Sequence, residues 1–344
     1  MNIQRSSIAF GSNNPRILLT GATGYIGSNL SMKLASKGYD LIVCGRDSQK
    51  MHFLKESLEN INRKNTNNNR FDFVRLELTD GEQVDKFLSE NRNIEGVVHL
   101  AGLNSNARSI TCSQDTYKTN LCGSVNLVKS MLDKGINRIV FISSGSTYGQ
   151  VQNIAKIDEG IIQHPETPYA KSKAMVEKYI QEYGDLGLKS TILRMFNVAG
   201  ATSQDDLTIG TNVISIIMNR LKNGSEFILN GNKHNTADGT AIRDFLHIND
   251  ACEAIMSSLE KLLNSKKNSL YNVGSGKGVS LGEIINLSEK ISGRKLNIRT
   301  NNAPQYEPPV LIVNNSKIRN ELNWEPTCSI KDIITGAWAW CVKH

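Results

Sequence analysis

The stretch Thr20-Gly-Ala-Thr-Gly-Tyr-Ile-Gly27 comes after the apolar run Ile17, Leu18, Leu19 and leads into a helical pattern. Strand, glycine turn and helix start, in that order, commit the chain to a βαβ arrangement, because a parallel neighbouring strand is reached only over a crossover. In a nucleotide-binding unit of this kind Gly21 permits the turn, Gly24 lets the backbone approach a pyrophosphate, and Gly27 lets helix and strand pack closely. The exposed N–H groups and the helix dipole then favour the anion. The spacing is G-x-x-G-x-x-G, one residue wider at the first interval than the usual dinucleotide fingerprint. Three glycines after a strand can be only a turn, so the reading depends on a second motif farther along the chain.

Strand signals recur at 17–20, 41–44, 71–76, 97–100 and 139–143, separated by segments long enough to be crossover helices. The expected fold class is therefore α/β, a Rossmann-like doubly wound parallel sheet covered by helices on both faces. The Asn-rich tract 62–70 reads as a surface loop before the third strand. Beyond about Arg194 the periods shorten and glycines crowd in, at 200, 210, 224, 231, 239, 274, 276 and 278, which predicts a smaller C-terminal α+β substrate domain. The expected organisation is an N-terminal extension (1–14), a dinucleotide-binding domain (15–196) and a substrate-binding region (197–344), of which about 236–265 returns to the first domain. Helical patterns at 280–292 and 330–342 close the chain and serve packing.

A chain of 344 residues, 39% hydrophobic, can bury a large core. Its formal charge of +7 suits anionic ligands such as nucleotides. The basic residues are scattered, with no run longer than a pair such as Lys266 and Lys267, so neither nucleic acid nor a membrane surface is an expected partner. Cys44, Cys112, Cys122, Cys252, Cys328 and Cys341 lie far apart without C-x-x-C or metal-ligand spacing, as buried thiols of a reducing compartment would; no metal is expected. No apolar run approaches the roughly 20 residues that span a bilayer. Residues 1–14 lack the apolar core of a secretory signal, and a cytoplasmic location is expected.

The chemistry is carried by Tyr169 and Lys173, a Y-x-x-x-K pair whose spacing puts both on one helix face. A phenol titrates near about 10, and a neighbouring ammonium favours its phenolate, so the pair can supply a base near neutral pH. The run Ser143-Ser-Gly-Ser-Thr-Tyr-Gly149 comes after a strand signal and sets a hydroxyl at the C-terminal edge of the sheet, where open α/β sheets hold ligands. Y-x-x-x-K alone is common on surface helices. Joined to the glycine turn, the Ser144 strand end and the order of elements, it reads as a catalytic set. His99 reads as a sheet residue and His247 as one that orders its loop. A plain ion pair of Arg243 with Asp244 or Asp250 stands against a binding role for that arginine. Trp324, Trp338 and Trp340 read as C-terminal core or surface anchors.

With these residues in place the chain resembles the extended short-chain dehydrogenase/reductases of the NAD-dependent epimerase/dehydratase type, closest to the UDP-galactose 4-epimerase group, from Arg16 to about Lys343. Further matching stretches are His99-Leu-Ala-Gly-Leu, Tyr117-x-x-Asn120, Leu193-Arg-Met-Phe-Asn197 and, most specific, Asp238-Gly-Thr-Ala-Ile-Arg-Asp-Phe-Leu-His-Ile-Asn-Asp250. The resemblance implies that Ser144 is the catalytic serine, Tyr169 the acid/base, and Lys173 the residue that holds the nicotinamide ribose and tunes Tyr169. It assigns cofactor contacts to Gly21, Gly24, Tyr25, Ile26, Gly27, Arg46, Glu77, Leu78, Ala101, Gly102 and Asn120, along with Tyr169 and Lys173. It assigns nucleotide-sugar contacts to Asn104, Ser144, Ser146, Asn197, Asn212, Arg243 and Glu307. It also implies a homodimer formed through the helices containing 120–131 and 169–182.

The chain departs from the family's pattern at several positions. Dehydratases carry an acidic pair after the catalytic hydroxyl residue, where this chain has Gly145 and Ser146, so dehydration is not expected. NAD-dependent members end the second strand with an acid that binds the adenosine ribose. Gly45 stands there, with Arg46 next; a guanidinium suits a 2′-phosphate, which leans the cofactor toward NADP, while Asp47 keeps NAD open. Glu77 replaces an Asp near the adenine. Asn104 replaces a Lys, and an Arg is missing from the 303–307 segment, so a UDP-hexose substrate is implied by the resemblance and not by these residues. The leading expectation is a nucleotide-sugar 4-epimerase working through a 4-keto intermediate. An NADPH-dependent reductase of a keto sugar or related carbonyl compound is the alternative, and a non-catalytic dinucleotide-binding protein on the same fold is a third.

Overall fold

The computed structural model describes residues 14–65, 68–151, 155–203, 208–265, 267–304 and 307–344. The N-terminal extension therefore lies outside the described residues except for Asn14. The strands of the first half are β1 (Arg16–Thr20), β2 (Asp40–Cys44), β3 (Phe71–Val74), β4 (Gly96–His99), β5 (Arg138–Ser144) and β6 (Lys189–Met195). After them come β7 (Asn197–Ala199), β8 (Phe227–Asn230), β9 (Ile242–His247), β10 (Ser269–Val273), β11 (Gly278–Ser280), β12 (Ile298–Asn301) and β13 (Val310–Leu311). The helices are α1 (Tyr25–Ser36), α2 (Ser48–Asn65), α3 (Gly81–Glu90), α4 (Asn106–Thr111), α5 (Ser113–Tyr117) and α6 (Gly123–Asp133). They continue with α7 (Pro168–Glu182), α8 (Val213–Asn223), α9 (Ile248–Asn264), α10 (Leu281–Ser292), α11 (Ser316–Leu322) and α12 (Ile330–Lys343).

Seven parallel strands form the main sheet in the order β3-β2-β1-β4-β5-β6-β10. Its central strands are buried on both faces, and the period of two sorts their side chains. Ile17 and Leu19 enter one core with Leu30, Leu34, Leu54, Ile255 and Leu259, beneath α1, α2 and α9. Leu18 enters the other with Val84, Leu88, Leu127, Met131, Val176 and Ile180, beneath α3, α6 and α7. A four-stranded sheet around β9 and a two-stranded sheet of β8 with β12 make up the smaller part. Ile214, Ile217, Phe245, Ile284 and Ile334 give it a core of its own, built from α8, α10 and α12.

Some expectations change. The stretch that rejoins the main sheet is α9 with β10, where about 236–265 was expected; β9 itself stays with the smaller sheet. The Asn-rich tract is helical to Asn65, and Asn62 Nδ2 donates to the Asn69 carbonyl at 2.7 Å, which folds the tract back on itself. Of the thiols, Cys44, Cys252 and Cys341 are buried, whereas Cys122 is exposed and Cys112 and Cys328 are half-buried. No helix among the described residues is long and apolar enough to cross a membrane.

Candidate active site

A cavity of about 850 Å³ opens over the C-terminal ends of β1, β4, β5 and β6. Strand order reverses between β1 and β4, and a crevice at such a switch point is where open α/β sheets take ligands. The glycine turn forms one wall. The start of α8, β9 and Pro304, Glu307, Pro308 and Leu311 form the other.

The turn is shaped for close approach. Gly21 has φ +70°, and a Cβ there would lie 2.7 Å from the Ala101 nitrogen; one at Gly27 would overlap the Gly21 carbonyl oxygen. Gly24 caps α1 without a side-chain hydrogen bond, leaving backbone N–H groups at the helix start directed to the cavity. These features fit a dinucleotide pyrophosphate. Tyr25, Ile26, Leu78, Ala101 and Gly102 also line the cavity, as do Arg46 and Glu77, which pair with each other at 3.4 Å. Asn120 does not. It is buried on a π-helical turn (Lys118–Cys122), accepts the Leu103 N–H at 2.7 Å and donates to Ser172 Oγ at 3.1 Å. It pins the turn after β4 to α7, while its neighbour Thr119 reaches the cavity.

Ser144, Tyr169 and Lys173 converge. Ser144 ends β5, where its Oγ accepts the Ser146 N–H at 3.2 Å and the Ser146 hydroxyl at 2.9 Å. Helix α7 starts at Pro168 after the Thr167 cap, whose hydroxyl accepts the Ala170 N–H at 3.2 Å, so Tyr169 falls in the first turn and Lys173 one turn on. Burial raises the Tyr169 phenol above its ordinary value, and a hydrogen bond with Ser144 opposes the rise. Burial lowers Lys173 to about 8 against the field of Glu177, and its ammonium donates to the Ile142 carbonyl at 2.8 Å. The interaction that favours the phenolate thus comes from Ser144; Lys173 is held beside it on the same helix face.

At the far wall Asn197 donates to the Asp244 carbonyl at 3.0 Å, and Asn212 caps α8 by accepting the Ser215 N–H at 3.0 Å. Arg243 pairs with Glu307 at 2.9 Å, not with Asp244 or Asp250. Those two carboxylates are occupied elsewhere: Asp244 accepts the N–H groups of Ser275 and Gly276, and Asp250 that of Cys328. Asn104 and Ser146 line the cavity as well, while Gln305 and Tyr306 of the 303–307 segment lie outside the described residues. His99 is sealed in the sheet, bonded to Thr20 Oγ1 at 2.7 Å and Ser124 Oγ at 2.8 Å, and burial together with the weaker field of Lys173 lowers it to about 3. His247 caps α9 through Nδ1, which accepts the Asn249 N–H. Trp324 is buried and donates to the Asp250 carbonyl at 3.1 Å.

Gly145, the first of the two positions where a dehydratase carries its acids, is closely packed. A Cβ there would lie 2.9 Å from the Phe196 ring. Gly145→Asp is therefore expected to displace Phe196 and destabilise the fold by about 1–3 kcal/mol through overpacking, without creating dehydratase activity. Urea denaturation and an assay for 4-keto-6-deoxy product check both parts.

Sequence reasoning missed Thr23, Asn106, Thr119, Glu166, Thr167 and Phe196, all of which line the cavity. Glu166 and Thr167 lie just before Tyr169, and their position beside the motif was the available signal.

Comparison with known proteins identifies the family. The NAD dependent epimerase/dehydratase family matches residues 17–274. UDP-glucose 4-epimerase of Bacillus subtilis is 32% identical over 336 residues, covering 94% of this chain and 96% of that one. The Rhizobium meliloti UDP-glucose 4-epimerase is 29% identical, covering 95% and 97%. Among solved structures, UDP-glucose 4-epimerase of Stenotrophomonas maltophila, with bound NAD and formylated UDP-arabinopyranose, superposes with a TM-score of 0.86 at 26% identity over 96% of this chain and 98% of that one. The Brucella ovis UDP-glucose 4-epimerase in complex with NAD gives 0.83 at 25%, over 94% and 97%. From the glycine turn to the strand-end serine and the Tyr169–Lys173 helix, this chain belongs to the NAD dependent epimerase/dehydratase family.

Proposed function

We propose that this protein is a nucleotide-sugar 4-epimerase acting on a UDP-hexose-like substrate. The observation that carries the reading is the convergence of Ser144, Tyr169 and Lys173 in one cavity with the glycine cradle on one side and Arg243, Asn197 and Asn212 on the other. The α8 N-terminus and Arg243 bind the substrate diphosphate, which holds the sugar against Ser144 and Tyr169. Tyr169 Oη takes the proton of the sugar 4-hydroxyl, with the Ser144 hydroxyl hydrogen-bonded to both oxygens. The dinucleotide supplies reversible hydride acceptance at that carbon. Once the 4-keto ring has turned over, Tyr169 returns the proton to the opposite-handed alcohol, so nothing is consumed.

The test is incubation with UDP-galactose and a catalytic amount of cofactor. UDP-glucose should form with no net change in nicotinamide absorbance. Stoichiometric loss of NADPH against a keto sugar, with no interconversion, would overturn the reading in favour of a reductase.

We assign NAD as the cofactor. The lean toward NADP rests on Arg46, but its guanidinium is held by Glu77, whose carboxylate would repel a 2′-phosphate. The Stenotrophomonas and Brucella relatives carry NAD. Glu77→Gln is expected to improve NADP binding relative to NAD by about tenfold, by removing one like charge from an exposed site. Titrating both dinucleotides into both proteins decides it; an unchanged ratio would remove Glu77 from cofactor choice. Dimerisation through α6 and α7 belongs to the same reading, supported by Met175 standing 48% exposed on α7.

A further inference from the structure

We infer that Glu166 selects the sugar: it admits hexoses that present a hydroxyl or amino group to its carboxylate and rejects those that present a carboxylate there. This rests on the epimerase reading and narrows its substrate class.

Glu166 lies three residues before Tyr169, so at most about 11 Å of chain separates the two Cα atoms. Thr167, between them, donates to Asn106 Oδ1 at 2.6 Å and so fixes the segment beside α4. Glu166, Asn104 and Asn106 all line the cavity. The Glu166 carboxylate is exposed and has no hydrogen-bond or ion-pair partner among the described residues.

The other charges of the cavity are accounted for. Arg46 pairs with Glu77, Asp47 with Lys50 and Arg243 with Glu307, and Lys173 donates to the Ile142 carbonyl. Among the described residues that line the cavity no further cation remains to receive a sugar carboxylate, and position 104 is an asparagine. An ionised carboxylate only accepts hydrogen bonds, so Glu166 suits a donor. A uronate group brought within about 5 Å would meet a like charge, at a cost of about ten- to a hundredfold in affinity at an effective dielectric between protein surface and water.

UDP-glucose and UDP-glucuronate differ only at this substituent, and wild type and Glu166→Gln are compared on both by turnover and by calorimetric binding. Wild type is expected to favour UDP-glucose by about fiftyfold or more, and Glu166→Gln to shrink that ratio about tenfold. Added salt should shrink the wild-type ratio as well, since the carboxylate is exposed. Because each protein is its own reference, a general loss of activity cancels. A wild-type ratio near one, or a ratio that Glu166→Gln leaves unmoved, overturns the inference. Discrimination in binding without interconversion of either sugar overturns the epimerase reading and leaves the charge selection standing; interconversion of UDP-glucose with an unmoved ratio does the reverse.

Discussion

Tyr169→Phe is expected to cut turnover of the nucleotide sugar about a thousandfold while leaving the fold and cofactor binding near wild type. The phenol is 9% exposed and its ring fills a fixed place in the first turn of α7, so the change removes one oxygen and no packing. What it removes is the atom that carries the proton, and positioned general acid–base groups contribute about 10²- to 10⁴-fold. KM should move little, since the diphosphate is held at the far wall by Arg243 and the start of α8. Measuring kcat, KM and dinucleotide affinity on the same preparation separates these effects. Turnover within about threefold of wild type would transfer the acid/base role to another group, with Ser144 the next to test.

The features legible in the sequence are those encoded over a few residues. Strands β1, β2, β4 and β5 show as apolar runs because a strand buried on both faces needs every side chain apolar. The Tyr169–Lys173 pair shows because helical spacing converts sequence distance directly into proximity. Partnerships made across long stretches of chain were not legible. Arg243 had acidic neighbours at 244 and 250, and it pairs with Glu307, because β9 and the segment before β13 run side by side and leave Asp244 facing the turn at Ser275. Asn120 matched a motif, but the π-helical turn rotates it inward, and no local periodicity announces that turn. The return of β10 to the edge of the main sheet depends on α9 covering the same face as α1, a tertiary contact with no local signature.

The largest stability loss is expected at Glu177, one turn beyond Lys173 on α7. Its carboxylate receives Arg194 in a fork, Nε to Oε2 at 3.0 Å and Nη2 to Oε2 at 2.7 Å, with both side chains almost wholly enclosed. Ser143 Oγ donates to Oε1 and Gln163 to Oε2, while Arg194 reaches on to the Tyr148 hydroxyl at 2.8 Å, which donates to Asn272. The network ties β5, α7, β6 and β10 together directly behind Ser144. Glu177→Gln leaves the guanidinium buried without its counter-charge, and breaking such a pair costs about 3–5 kcal/mol. Glu182→Gln, which breaks an exposed pair with Lys178 on the same helix, should cost no more than about 1 kcal/mol. The contrast in urea midpoints is the measurement. Glu177→Leu combined with Arg194→Met should be less destabilised than either single change, because the penalty lies in the uncompensated charge more than in the absence of the pair. Since Ser143 loses its acceptor where Glu177 becomes Leu, the folded fraction of that double variant should also show lower kcat at unchanged dinucleotide affinity. A loss of stability with kcat intact would make the network a brace for the sheet alone, without influence on where Ser144 points.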